Sequence, residues 1–98
     1  MLFASKLITS SGNVILNICD PNLLDRIIKD GNTEIKIKSN YYKNNMVNEA
    51  EATNLLEKCT SANMVGEKII TLGLKLWIGS KNAVRTIEGI PFLIIVKI

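Results

Sequence analysis

Ser61-Ala62-Asn63-Met64-Val65-Gly66-Glu67-Lys68 is the stretch on which the reading of the fold turns. It follows an amphipathic run in which Ala52, Leu55, Leu56 and Cys59 fall at i, i+3, i+4 and i+7, the spacing of a helix. Thr60 and Ser61 break or bend that run, and either hydroxyl can cap a new helix. Ala62, Val65, Ile69 and Leu72 continue an apolar stripe, so the spacing predicts a second helix opening at Ser61 and stopping at Gly73. Asn63 and Glu67 then share one helical face. Gly66 would lie inside this helix, where it costs about 1 kcal/mol against alanine. Two things can offset that cost. One is a close helix–strand approach; the other is a ligand whose anionic group meets the free N–H groups of the helix start.

Upstream, Asn48 with Glu51 three residues later forms a capping box with Asn in the cap, which begins the first of the two helices. Residues 39–46 are polar and read as a loop. Thr33 to Lys38 alternate strictly, with Ile35 and Ile37 on one face and Glu34, Lys36 and Lys38 on the other, a strand with one solvated side. Asp20-Pro21 is favourable chemistry for a helix start, and Leu23, Leu24, Ile27 and Ile28 follow at helical spacing up to Gly31. Residues 2–9 and 13–19 read as two strands joined at Ser11-Gly12-Asn13. Downstream, residues 74–82 contain Trp77 and a Gly79-Ser80 turn and fit neither period. Residues 83–87 and 91–96 form a closing hairpin around Glu88-Gly89, with Pro91 at the start of its strand. Phe92 to Val96 is apolar on both faces, as for an interior strand or one covered by a partner. The sum is a single α+β domain over residues 1–98. Its sheet is small, mixed and mostly antiparallel, with about five strands and two to three helices in the order β-β-α-β-α-α-β-β.

Hydrophobic residues make up 47% of the chain and charged residues 21%, enough to form a core without staples. The chain has no histidine, and its two cysteines, Cys19 and Cys59, are far from C-x-x-C spacing. A tetrahedral zinc site is therefore out of reach for one chain, as are Ser-His-Asp and Cys-His devices. The glycines form no phosphate-cradling loop. Glu49, Glu51 and Glu57 read as charges near a positive helix end and on a solvated face. The expectation is no catalytic residue, no metal and no cofactor. Both cysteines read as buried free thiols, which suits a reducing, cytoplasmic compartment. No signal peptide is expected, and the apolar run from Ile90 to Ile98 is too short to span a bilayer, so no membrane contact is expected either.

The net charge of +3 tolerates an acidic partner without demanding one. Lys36, Lys38 and Lys43 bracket Tyr41 and Tyr42, and lysines neutralise phosphates while tyrosines stack on unpaired bases. Lys81, Arg85 and Lys97 make a second group towards the C-terminus. The alternative for both groups is a solvated sheet face with tyrosines folded onto the core.

Ser61-Ala62-Asn63-Met64-Val65-Gly66-Glu67-Lys68, the glycine at Gly73, and Val84-Arg85-Thr86-Ile87-Glu88-Gly89-Ile90-Pro91 together resemble the archaeal domain-of-unknown-function family numbered 424. Tyr42 followed by Val47-Asn48-Glu49-Ala50-Glu51-Ala52 resembles the middle of that family. Where the family pattern often carries a His-Ala pair after its Gly-x-Pro, Phe92-Leu93 stand here, so a polar site built on that histidine does not carry over. The resemblance implies a small archaeal, cytoplasmic α+β protein; a link to translation is an expectation from gene context and the basic charge, not from a motif. The leading expectation is a non-enzymatic RNA-contacting protein of the archaeal ribosome or translation apparatus, such as a small-subunit component. Lys36, Lys38, Tyr41, Tyr42, Lys43, Lys81, Arg85 and Lys97 would be its contacts, and ribosomal RNA or ribosomal proteins its partners. One alternative is a protein-interaction or self-associating module that forms a homodimer through the C-terminal strand. Another is a small-ligand or anion binder at a helix start formed by Ser61, Asn63, Gly66 and Glu67.

Overall fold

Two positive-φ residues, Ser11 (φ 49) and Gly12 (φ 82), turn the chain between the first two strands. Paired positive φ values in a two-residue loop match the right-handed twist of the flanking strands. The turn sets the register of β1 (Leu2–Ser10) against β2 (Asn13–Cys19), from Ser10 opposite Asn13 to Ala4 opposite Cys19. The computed structural model describes residues 1–97.

The helix expected from Asp20 to Asp30 is corrected. Only one 3-10 turn, Pro21–Leu23, forms there. Asp25 then takes φ 65, which no helix admits, and β3 (Ile27–Asp30) pairs with β4 (Thr33–Lys36) as a separate two-stranded sheet. The competing signal was local. Asp30-Gly31-Asn32-Thr33 is hairpin chemistry, and Gly31 (φ 64) starts that turn instead of ending a helix. The expected loop at 39–46 holds a single helical turn, α1 (Ser39–Tyr42), followed by the first half of β5 (Asn45–Asn48), which pairs with β1. Asn48 then caps α2 (Glu49–Lys58). Its side chain accepts from the Glu51 N–H at 2.8 Å and the Glu51 carboxylate accepts from the Asn48 N–H at 3.1 Å.

The helix expected to open at Ser61 is corrected as well. Ser61 does not open a helix: Ser61–Val65 is β6, and the helix α3 (Glu67–Lys75) starts only after Gly66. Asn63 and Glu67 therefore share no helical face, and Gly73 lies inside α3 rather than at its end. A five-residue run with Ala62 and Met64 inward and Ser61 and Asn63 on the other face fits a period of two. The longer stripe through Ile69 and Leu72 masked it.

β6 is central. The main sheet runs β5-β1-β2-β6-β8-β7, with β7 (Arg85–Ile87) and β8 (Ile90–Val96) forming the expected closing hairpin. Every neighbouring pair is antiparallel except β2 and β6, which run parallel with Ile15 opposite Ser61 and Cys19 opposite Val65. The result is an α+β fold on a mixed, mostly antiparallel sheet. One face carries α2 and α3 over a core of Phe3, Leu16, Ile18, Leu56, Met64, Ile69 and Leu93. The other face is half covered by the 3-10 turn, the β3–β4 hairpin and α1, over Ala4, Cys19, Leu23, Ile28, Ile37 and Val65.

Gly73 gives a contrast within α3. A Cβ there would meet the Met64 sulfur at 2.9 Å, the flexible part of a long side chain. Alanine gains about 1 kcal/mol of helix propensity, which offsets the repacking of Met64. Gly73→Ala is expected to leave stability within roughly 1 kcal/mol of the parent in urea denaturation.

Candidate RNA-contact surface

The first basic group stays together. β4 delivers Lys36 and leads through Ile37, buried in the second core, to Lys38 and the turn of α1. The turn is pinned by Asp25, whose carboxylate accepts from Ser39 Oγ at 2.6 Å and from the Ser39 N–H at 3.2 Å. These two bonds, assisted by Lys36, hold the Asp25 carboxyl below its usual range. Lys6 of β1 donates to the Asn40 carbonyl at 2.7 Å and ties the turn to the sheet. On this platform Tyr41 is 56% exposed and Lys38 Nζ lies 5.6 Å from its ring centroid. Lys43 follows, exposed. Tyr42 behaves differently: it is half-buried against the second core, and burial pushes its hydroxyl pKa up. Tyr41 is therefore the ring available for stacking.

The second basic group is not brought together. Lys81 is exposed on a 3-10 turn, Lys81–Ala83. Arg85 is ion-paired with Asp30 at the β3–β4 tip. Lys97 is at the far end of β8 and donates to the Leu56 and Glu57 carbonyls at 2.6 and 2.9 Å. There it satisfies the orphan carbonyls at the C-terminus of α2, where a cation is favoured.

Beside α1, half of the sheet face is bare. It presents Lys6, Ile8, Asn63, Ile94 and Val96, with Asn17 buried beneath them. Asn63 Nδ2 donates to Asn17 Oδ1 at 2.7 Å across the parallel pair. Ser61, half-buried at the start of β6, lies on this same face. The sequence does not single out Lys6 or Asn17: alternation along β1 and β2 sets both on the face opposite the main core, but nothing local shows that Lys6 stays partly open while Asn17 is buried.

Gly66 and Glu67 belong elsewhere. The N-terminus of α3 is capped by Asp20, whose two carboxylate oxygens accept from the Lys68 and Ile69 N–H groups at 2.9 Å each. The anion position expected at this helix start is thus filled by the protein's own carboxylate. Gly66 takes φ 117, and a Cβ there would lie 2.4 Å from Asp20 Cγ. The expectation that Asp20 caps a helix starting at Pro21 is corrected: its carboxylate makes no cap bond to the local turn and serves a helix starting 47 residues later. A cleft of about 750 Å³ opens where the parallel strands end, lined by Asp20, Leu23, Glu67, Lys68, Leu72 and Pro91 among others. Open sheets place ligands at such carboxyl ends. Among the described residues no group of three or more His, Cys, Asp or Glu could hold a metal ion. No helix among the described residues is long and apolar enough to cross a membrane.

Comparison with known proteins gives a family and a fold. A family model described as "Protein of unknown function (DUF424)" matches residues 8–98. No curated protein matches. A crystal structure of an uncharacterized conserved protein from Methanopyrus kandleri is similar at a TM-score of 0.84 and 15% identity, covering 99% of this chain and 94% of that one. At that identity the likeness concerns the fold alone.

Proposed function

We propose, for a chain that belongs to the DUF424 family of proteins of unknown function, a role as an RNA-contacting protein that acts by binding rather than catalysis. The observation that carries it is the ridge of Lys36, Lys38, Tyr41 and Lys43, held by the Asp25–Ser39 bonds and bordered by Lys6 and the bare sheet half. Lysines on a rigid turn track phosphates, and an exposed ring next to them offers a base a stacking surface. The amide of Asn63 on the adjoining β6, half-buried and bonded to the buried Asn17, supplies its remaining hydrogen-bonding groups to a base edge. The setting proposed with this is the cytoplasm and the translation apparatus, with ribosomal RNA or ribosomal proteins as neighbours and a place on the small subunit as the specific form.

The test is binding of a labelled single-stranded RNA at several salt concentrations. The Lys36→Ala, Lys38→Ala, Lys43→Ala triple variant should weaken binding ten- to a hundredfold, with roughly equal loss across sequences. Its salt slope should fall by about 2, since each phosphate contact on a single strand contributes about 0.7. Tyr41→Ala should cost about tenfold, the loss of one stacked base. Lys81→Ala and Lys97→Ala should leave affinity near the parent's. Parent affinity that does not change with salt rejects the reading. The ribosomal setting is tested separately by gradient fractionation of a lysate at low salt, where all of the protein remaining at the top counts against it.

A further inference from the structure

The outer edge of β8 is only partly covered. The Gly66 N–H donates to the Pro91 carbonyl at 3.0 Å and the Lys97 N–H to the Thr60 carbonyl at 2.8 Å. Odd-numbered residues of β8 therefore direct their backbone groups at β6, and even-numbered ones direct theirs away. Ile90 and Phe92 meet Ile87 and Arg85 of β7. β7 starts at Arg85, so Ile94 and Val96 point their N–H and C=O groups outward with no strand beside them among the described residues. The same two residues leave their side chains 71% exposed each. Natural edges are usually blunted by charge, proline or a bulge; this one carries Ile and Val.

A second observation falls at the same edge. Trp77, the single tryptophan of the chain, is 93% exposed and holds φ 61, which is strained for a bulky side chain. Its loop lies over β8 on the side opposite Ile94 and Val96: a Cβ on Gly79 would be 3.0 Å from both Ile95 Cγ2 and Leu93 Cδ2. An exposed Trp next to an unpaired strand is the composition of an interface centre.

We propose that this edge is occupied by a second copy of the chain, β8 against β8 in antiparallel register, with Ile94 opposite Val96 of the second copy and a two-fold axis at Ile95. The residues themselves dictate this register. Outward backbone groups two positions apart are self-complementary about the residue between them, and each of the two resulting pairs exchanges both its N–H···O bonds. The end of β7 limits the match to this short segment, and a second copy carries the same limit. Ile94 and Val96 of both copies then form one apolar cluster on the shared face. Both Trp77 loops come to the axis on the other face, since Gly79 sits over Ile95. The two indoles bring at most roughly 300–500 Å², and the four aliphatic side chains add about as much again, so the contact stays below the low end of specific interfaces, about 1,200 Å². The dimer is therefore weak and concentration-dependent.

Sedimentation of the full chain from low micromolar to millimolar concentration tests this. The mass should rise towards twice the monomer, and Trp77 emission should shift to shorter wavelength in step. Ile94→Lys and Val96→Lys, both at exposed positions, should hold the protein monomeric with emission unchanged. Ile95→Cys should cross-link to itself under mild oxidation, because the axis sets the two residues opposite each other at about 4.5 Å between Cα atoms. A monomer over the whole range, or a dimer that Ile94→Lys and Val96→Lys leave intact, overturns the proposal.

Discussion

Gly66→Ala is expected to remove about 4 kcal/mol of stability, a large part of what a domain of this size has. Two independent costs add. The backbone at φ 117 and ψ 152 lies in a region essentially reserved for glycine, at 1–3 kcal/mol. The new Cβ would also overlap the Asp20 carboxyl, with Cγ at 2.4 Å and Oδ2 at 2.5 Å. Asp20 is only 5% exposed and fixed by two bonds to α3, so it yields only by releasing those N–H groups, at about 1–3 kcal/mol. The melting midpoint should fall by roughly 15–30 °C, at 4–8 °C per kcal/mol. Asp20→Ala alone should cost about 2–3 kcal/mol through the lost cap. In the double variant the overlap is gone and the cap is lost only once. Its cost should be clearly smaller than the sum of the two single variants, and strict additivity in a denaturation cycle would disprove the clash.

Cys19 should resist alkylation by about a thousandfold relative to an ordinary thiol at the same pH. It is fully buried between β2 and the second layer, and burial, reinforced by the negative charge of Asp20, pushes its pKa from 9.0 up to about 12. The thiolate is the reactive species, so its population falls in proportion. A time course with iodoacetamide at pH 8, followed by mass spectrometry, should show native Cys19 unlabelled while the denatured chain takes two adducts. Native labelling within tenfold of the denatured rate would mean that the second layer opens readily. The same shift has a stability consequence. The thiol is held neutral in the folded state, so the unfolded chain loses its proton first, from about pH 9.0. Stability should be unaffected below that pH and should fall as pH rises from 9.0 towards 12. Tyr42, also raised by burial, adds to the fall above its ordinary 10.0. Cys19→Ala should flatten the lower part of the decline.

Turn and cap chemistry was legible in the chain itself. Ser11-Gly12, Glu88-Gly89 and the Asn48–Glu51 box act within four residues, so their residue types settle their geometry. The family resemblance was legible too, because Ser61 to Lys68 is distinctive as a string whatever structure it adopts. The structure of that string was not legible. Its five strand residues satisfy both periods, and the decision comes from β2 and β8, whose partners lie 46 residues upstream and about 30 downstream. The residues after Asp20 failed for a related reason. Asp20-Pro21 has the residue types of a local helix start, yet the carboxylate caps α3, which no local rule reveals. Within the basic groups, Lys36, Lys38 and Lys43 stay together because they are joined by one short turn. Arg85 and Lys97 are drawn off by Asp30 and by the end of α2, partners that no spacing rule reveals.

The parallel pairing of β2 with β6 divides the molecule in a further way. β5, β1 and β2 come from residues 2–48 and β6, β8 and β7 from residues 61–96, so each half of the sheet is an unbroken piece of chain. A single five-residue ladder joins them, helped by the reach of Asp20 to α3 and of Asp30 to Arg85. The β1–β2 and β7–β8 hairpins close short loops and form quickly, whereas β1 with β5 and β2 with β6 must each close a loop of forty or more residues. Folding of the whole is therefore expected to be limited by these two closures rather than by the hairpins. A cut in the connection at Cys59-Thr60 would yield two fragments that carry all the information needed to find each other.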